Sequence, residues 1–181
     1  MNNDNCKTNF VIKAANRDNV IISGYATVFN IVDSSGDCIL KGAFKNIYQN
    51  YNQSDIKLLW QHDMDFPIGL ITNIIEDEYG VEIEASINQH IQKGQEAIAL
   101  IQQGVINNFS IGFTIEDFSY NEQGNRIIKS ALLWEVSLVT FPANKYAKIH
   151  NLKNASILNF NQQQLILNLL SEAQKSLNNI I

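Results

Sequence analysis

The stretch Asn107-Asn108-Phe109-Ser110-Ile111-Gly112-Phe113-Thr114-Ile115 alternates large apolar residues with small ones. Successive side chains of a β-strand point to opposite faces, so Phe109, Ile111, Phe113 and Ile115 form one row and Ser110, Gly112 and Thr114 the other. The oily row anchors the strand. It holds a serine hydroxyl on the opposite face, beside a glycine that leaves room for another segment to approach. Taken alone, the pattern describes an ordinary half-buried strand with small residues on its second face. Two other stretches give the serine its context: Trp60-Gln61-His62-Asp63 upstream, and Leu133-Trp134-Glu135-Val136-Ser137-Leu138-Val139-Thr140-Phe141-Pro142-Ala143 downstream.

Immediately before the serine strand the hydrophobic period changes to that of a helix. Ile91, Ile98, Ile101 and Val105 are helically spaced between about Gln89 and Gln103, with Gly104 placed to end the helix. Further upstream, Phe10–Ala15 and Val20–Phe29 are predicted strands joined through Asn16-Arg17-Asp18-Asn19, and Gly24 suggests a bulge or a close backbone contact. Asp33-Ser34-Ser35-Gly36-Asp37 is a loop whose acidic side chains hint at calcium, although the spacing completes no EF-hand loop. Ala43–Tyr48 is predicted as a short helix. Ile56, Leu58, Trp60 and His62 fall on one strand face, Pro67 is expected to break the chain, and Ile68–Ile75 restarts as a strand. Tyr79-Gly80 turns into the alternating strand Val81–Ala85, and Asn121–Asn125 is a hairpin loop. It leads through Arg126-Ile127-Ile128 to a long apolar strand, Ala131–Phe141, that Pro142 ends. Many strands, hairpin links and few helices imply an α+β, β-dominated fold, a mostly antiparallel barrel-like sheet flanked by helices.

Bulk properties narrow the function classes. The 181 residues suit one domain with a full core, 45% of them are hydrophobic, and the net charge is −5 with no basic cluster, so no nucleic-acid partner is expected. Cys6 and Cys38 stand outside any CxxC or Cys/His cluster, which implies two free thiols in a reducing compartment. The N-terminus lacks a signal-peptide pattern, and no apolar run approaches the roughly 20 residues needed to span a bilayer. An intracellular protein with no membrane partner is expected. No glycine-rich phosphate loop and no regular βαβ alternation occur, so no nucleotide or other cofactor is expected.

A serine hydroxyl is a poor nucleophile until a base takes its proton, and that base is usually a histidine held by a third group. His62, Ser110 and Glu135 suit these roles. Their separations of 48 and 25 residues (110 − 62 and 135 − 110) are no obstacle, because triads are defined by geometry and not by chain order. Glu135 is the most informative. It lies in Leu132-Leu133-Trp134-Glu135-Val136, where both strand faces look apolar, and an unpaired buried carboxylate costs several kcal/mol. His62 is one partner; Arg126 or Lys129 in a salt bridge, or an exposed edge, are the alternatives. For His62 the alternatives are a hydrogen-bonded strand-end histidine, or a metal site with Asp63 and Asp65. His90 and His150 show no ligand spacing with it, so no metal is expected.

These blocks resemble the caudoviral prohead maturation proteases, the HK97-type family. The resemblance runs through Gly24-Tyr25-Ala26-Thr27-Val28-Phe29-Asn30, Gly42-Ala43-Phe44, Leu58-Leu59-Trp60-Gln61-His62-Asp63 and Pro67-Ile68-Gly69. It continues through Ala97–Ile101, Gly104-Val105-Ile106 and Phe109–Phe113, and closes on Glu135–Ala143. The blocks keep their order over roughly residues 20 to 145. The resemblance implies a serine endopeptidase with a herpesvirus protease-like fold, in which His62 and Ser110 match the family's histidine and serine and Glu135 matches the acidic position of its last strand. Herpesvirus relatives use a second histidine as third member. Neither His90 nor His150 lies in the matching strand here, which favours Glu135.

The resemblance further implies cleavage of the scaffolding segment of the major capsid protein, and of the protease itself, inside the immature capsid within the bacterial cytoplasm. The alternative is a catalytically silent capsid-assembly factor of the same fold. Backbone N–H groups of Ala143 and Asn144, in the loop after the Glu135 strand, are the expected oxyanion donors. Residues 1–147 are expected to form the catalytic domain and 148–160 a polar linker. Residues 161–181 read as an amphipathic helix, with Ile166, Leu169, Leu170, Ala173, Leu177 and Ile180 as its stripe, expected to dock on a second copy or on the capsid scaffold, with packing on its own barrel as the alternative.

Overall fold

The computed structural model describes residues 20–45 and 55–154. The strand expected over Phe10–Ala15 and the helix expected over 161–181 lie outside the described residues, as does the second half of the short helix expected at Ala43–Tyr48. Its first residues, 43–45, form turns. In chain order the elements are β1 (Val20–Val28), β2 (Asp37–Ile39), β3 (Lys57–Trp60), β4 (Asp63–Glu76), β5 (Gly80–Ile87), α1 (Gln92–Gln102), β6 (Asn108–Tyr120), β7 (Arg126–Val139) and β8 (Ile149–Asn154).

Among the described residues all eight strands belong to one sheet, which runs β2-β7-β3-β4-β5-β1-β8 with β6 paired to β7. Five pairings are antiparallel and two, β2 with β7 and β3 with β7, are parallel. β7 is the spine. One of its edges pairs with β6 along the strand; the other takes β2 at its start and β3 at its end. The sheet curls until its ends meet: Asn108 at the head of β6 bridges Lys148, and the amides of Phe109 and Ile149 bond Ala147 O (3.0 Å) and Asn107 O (2.9 Å). In a sheet curled this way the pleat sends alternate side chains inward.

The interior is filled by fully buried Ile22, Phe44, Leu58, Ile68, Phe109 and Leu138, each worth about 1.5–3 kcal/mol of burial. Phe113, from the oily row, meets Phe44 edge-on at 6.1 Å. The helix α1 ends where Gly104 was expected to end it, in a C-terminal motif with Gly104 N–H on Ile101 O and Val105 N–H on Leu100 O.

Three local expectations are corrected. Pro67 does not break the chain, because pairing of β4 with β5 begins only at Gly69 and its missing N–H removes no rung there. The irregularity appears instead as a bulge: Trp60 faces Asp63 and Leu59 faces Pro67, so Met64-Asp65-Phe66 loops out. The polar stretch from 148 is not all linker, since Ile149–Asn154 is β8 and pairs antiparallel with β1. Its backbone completes the edge of β1, a demand that polar side chains do not advertise. The third correction concerns His62.

Candidate active site

Gln61 and His62 form a two-residue hairpin between β3 and β4, with φ of 54° and 59°. His62 therefore does not continue the apolar row of Ile56, Leu58 and Trp60. Two consecutive left-handed residues without glycine or asparagine cost roughly 1–2 kcal/mol each, and bonds to β7 offset that cost. Gln61 N–H donates to Leu138 O at 2.9 Å and His62 N–H to Ser137 Oγ at 3.0 Å. The Gln61 side-chain amide clips Thr140, with Nε2 donating to Oγ1 at 2.9 Å and Oε1 accepting from the backbone N–H at 3.2 Å. Held this way, the turn swings the imidazole back over β7.

There it meets Glu135. His62 Nδ1 lies 2.7 Å from Glu135 Oε1, and Ser137 Oγ donates to Oε2 at 2.6 Å. An ionised carboxylate only accepts hydrogen bonds, so Nδ1–H donates to it and Nε2 is left on the other side of the ring. The imidazole is partly exposed and the carboxylate nearly buried, with side-chain exposures of 44% and 12%. Arg126, the alternative partner for Glu135, is committed elsewhere: its Nε and Nη2 grip Asp37 at 2.6 and 2.7 Å.

The register of β6 on β7 places Ser110 opposite Ser137 and Gly112 opposite Glu135. Directly opposed residues share a face, with Cβ atoms about 4.5–5.5 Å apart. Ser110 and Glu135 thus occupy the same face of the sheet, away from the Phe109 row. Gly112 has a reason to be glycine. A Cβ there would stand 2.5 Å from Glu135 Oε1 and 3.0 Å from its Cγ, so the segment the glycine admits is the glutamate side chain itself. Ser110 is buried to 6% exposure. The described bonds of His62 run to Glu135 and Ser137, and none joins it to Ser110; catalytic bonds of this kind are often long before substrate arrives.

Ser110 shares the wall of a small cavity with Ala143 and Asn144. That loop is pinned: Asn144 Nδ2 donates to Val28 O at 2.8 Å, its Oδ1 accepts from Tyr146 N–H at 3.1 Å, and Ala143 O accepts from Ser34 N–H at 3.1 Å. On the other flank, Glu135 lines a groove of about 580 Å³ with Leu59, Met64, Pro67 and Trp134.

The acidic loop hinting at calcium is spent on its own backbone. Asp33 Oδ1 accepts from the amides of Ser35 (2.8 Å) and Asp37 (3.0 Å), while Asp37 is held by Arg126. Beside His62, Asp63 Oδ1 accepts from the Asp65 amide at 2.9 Å. Sequence reasoning missed Ser137, Gln61 and Thr140. For Ser137 a signal existed: a lone hydroxyl within Val136–Val139, two residues from Glu135 and so on its face. For Gln61 and Thr140 there was none, because their bond spans 79 residues.

A model of the caudovirus prohead serine protease family matches residues 8–163. The chain is 32% identical over 136 residues to the prohead protease of Enterobacteria phage HK97, covering 74% of this chain and 60% of that protein. It is 36% identical over 138 residues to the prohead protease of Escherichia phage T5, covering 74% and 64%. The chain therefore spans a little under two thirds of the length of these relatives. Among solved structures, the capsid assembly protease of bacteriophage T4 aligns with a TM-score of 0.52 at 15% identity, over 66% of this chain and 81% of that one. The KSHV protease in complex with a hexapeptide phosphonate inhibitor aligns at 0.51 and 9% identity, over 72% and 63%. These two likenesses establish a herpesvirus protease-like fold, as the sequence implied. With a family model matching residues 8–163, most of its length, the chain belongs to the caudovirus prohead serine proteases.

Proposed function

We propose that the chain is a serine endopeptidase that removes the scaffolding segment of the major capsid protein, and cleaves itself, during prohead maturation inside the immature capsid. One observation carries the reading: the 2.7 Å bond between His62 Nδ1 and Glu135 Oε1, on the sheet face that also bears Ser110. Nothing in barrel packing calls for a nearly buried glutamate aimed at a histidine held in a left-handed turn. General-base catalysis calls for both.

In this mechanism Nε2 of His62 takes the Ser110 proton as Oγ attacks the scissile carbonyl, and Glu135 stabilises the imidazolium that forms. His62 then returns the proton to the leaving amine. Water, activated by the same nitrogen, hydrolyses the acyl-enzyme. The N–H groups of Ala143 and Asn144 stabilise the oxyanion; among the described residues neither donates a hydrogen bond, and their loop is held rigid. The groove beside Glu135, lined by Leu59, Met64 and Trp134, accepts an apolar side chain of the substrate. Copies associate through residues 161–181; removing them should leave peptide cleavage intact and lower the mass seen by light scattering, and an unchanged mass would exclude that role.

Two measurements test the activity. A fluorophosphonate probe should label the intact protein and not Ser110→Ala. Co-expression with the capsid protein should give a shell protein shortened by mass spectrometry, and full-length shell protein with Ser110→Ala. Trimming that persists in Ser110→Ala would refute the assignment of the nucleophile. Assembly of normal shells without any trimming would favour the silent assembly factor.

A further inference from the structure

Ser137 lies in the part of β7 where every residue from Glu135 to Val139 is buried, and it is 0% exposed itself. A hydroxyl in such a place requires partners, since burying one without them costs roughly 1–3 kcal/mol. Its two partners are both parts of the site: Glu135 Oε2 at 2.6 Å and the backbone N–H of His62 at 3.0 Å. The direction of each bond is fixed by chemistry. The carboxylate can only accept, so the hydroxyl donates to it. The amide can only donate, so the hydroxyl oxygen accepts.

We infer that Ser137 is a positioning residue that acts through His62 and Glu135 without touching substrate. The three residues close a ring of hydrogen bonds: Nδ1 of His62 to Oε1, the Ser137 hydroxyl to Oε2, and the His62 amide back to the Ser137 oxygen. With both carboxylate oxygens occupied, Glu135 keeps one plane and one distance to the imidazole. With its amide tied, His62 keeps the left-handed backbone that aims its ring. A single hydroxyl thereby locates the base by its main chain and the orienter by its side chain. This inference rests on the peptidase reading for its catalytic consequence and on geometry alone for the ring.

Ser137→Ala should lower kcat roughly 10- to 100-fold with KM changed by less than about twofold, because the lost bonds orient the base and do not bind substrate. Should that variant fail to fold, Ser137→Thr and Ser137→Val form a pair of equal shape that differs only in the hydroxyl. Both crowd the core alike, so their difference isolates the bond. The Thr variant should retain the downfield proton resonance of His62 Nδ1–H and most of kcat, and the Val variant should lose both. Equal kcat and an equal Nδ1–H resonance in the pair would overturn the inference. Failure of the peptidase reading looks different: the intact protein then shows no Ser110-dependent hydrolysis, and the resonance comparison still decides whether Ser137 holds the histidine.

Discussion

Gly112 shows how finely one position controls the site. Its φ is not left-handed, so alanine there meets no backbone strain, yet the added methyl would stand 2.5 Å from the Glu135 carboxylate. Gly112→Ala should still fold, with Tm lowered by about a few degrees because the displaced carboxylate leaves the buried Ser137 hydroxyl short of a partner, and should push the carboxylate off His62. Displacements near 1 Å can cost on the order of 100-fold in rate, and a kcat loss of that size, measured beside a thermal melt, is expected. Wild-type kcat in that variant would mean that Glu135 does not need its observed place. Glu135→Gln keeps the shape and removes the charge, so kcat should fall roughly 100- to 10,000-fold while KM changes little. Of these positions, the shared strand face of Ser110 and Glu135 was legible from strand period and apolar context. The aim of His62 was not, because its turn carries no glycine or asparagine and is sustained by contacts to Ser137 and Leu138.

Elements are joined by side chains whose charge states can be followed. Asp77, in the turn between β4 and β5, accepts from the amides of Tyr79 (2.7 Å) and Gly80 (2.9 Å) and from the hydroxyl of Tyr25 on β1 (2.6 Å). The bond to Asp77, with burial and the nearby negative charge, pushes the Tyr25 phenol up to about 12. Burial alone would raise Asp77, but the Tyr25 hydroxyl, the two amides and Lys41 outweigh it and hold the carboxyl below its ordinary value. The signs follow by linkage. The raised phenol contributes stability that is fully present below its ordinary value of 10.0 and is lost as pH climbs towards 12. The lowered carboxyl contributes stability present above the ordinary carboxylate range and lost as pH falls through its depressed value. Tyr25→Phe removes the link, so the stability gap between intact and variant protein, from urea midpoints, should be flat near neutrality and shrink at both extremes. A gap independent of pH would show that the hydroxyl plays no such part. The turn at Tyr79-Gly80 was readable from sequence. Its tie to β1, 52 residues away, was not.

At the scale of the molecule, the sheet closes along the seam of β1, β8 and the head of β6. Gly24 makes this possible, because a side chain there would overlap the carbonyl of Lys148, the residue that bridges Asn108. Gly24→Ala should cost about 1–3 kcal/mol by overpacking. It should also speed hydrogen exchange at the amides of Phe109 and Ile149, which span the seam, and unchanged exchange would argue that the sheet stays shut by other means. The strand order that produces the closure was not legible, since periodicity reports which face a residue shows and not which strand lies beside it. The parallel pairing of β3 with β7 has a consequence in time. His62 reaches its partners across 73 and 75 residues, and every one of them lies on β7. A ribosome that has released His62 and Ser110 has still to release the Glu135 carboxylate, and contacts of such sequence separation form late in folding. On the proposed mechanism the growing chain is its own inactive precursor, and cutting power arrives only when β7 has been made and has docked.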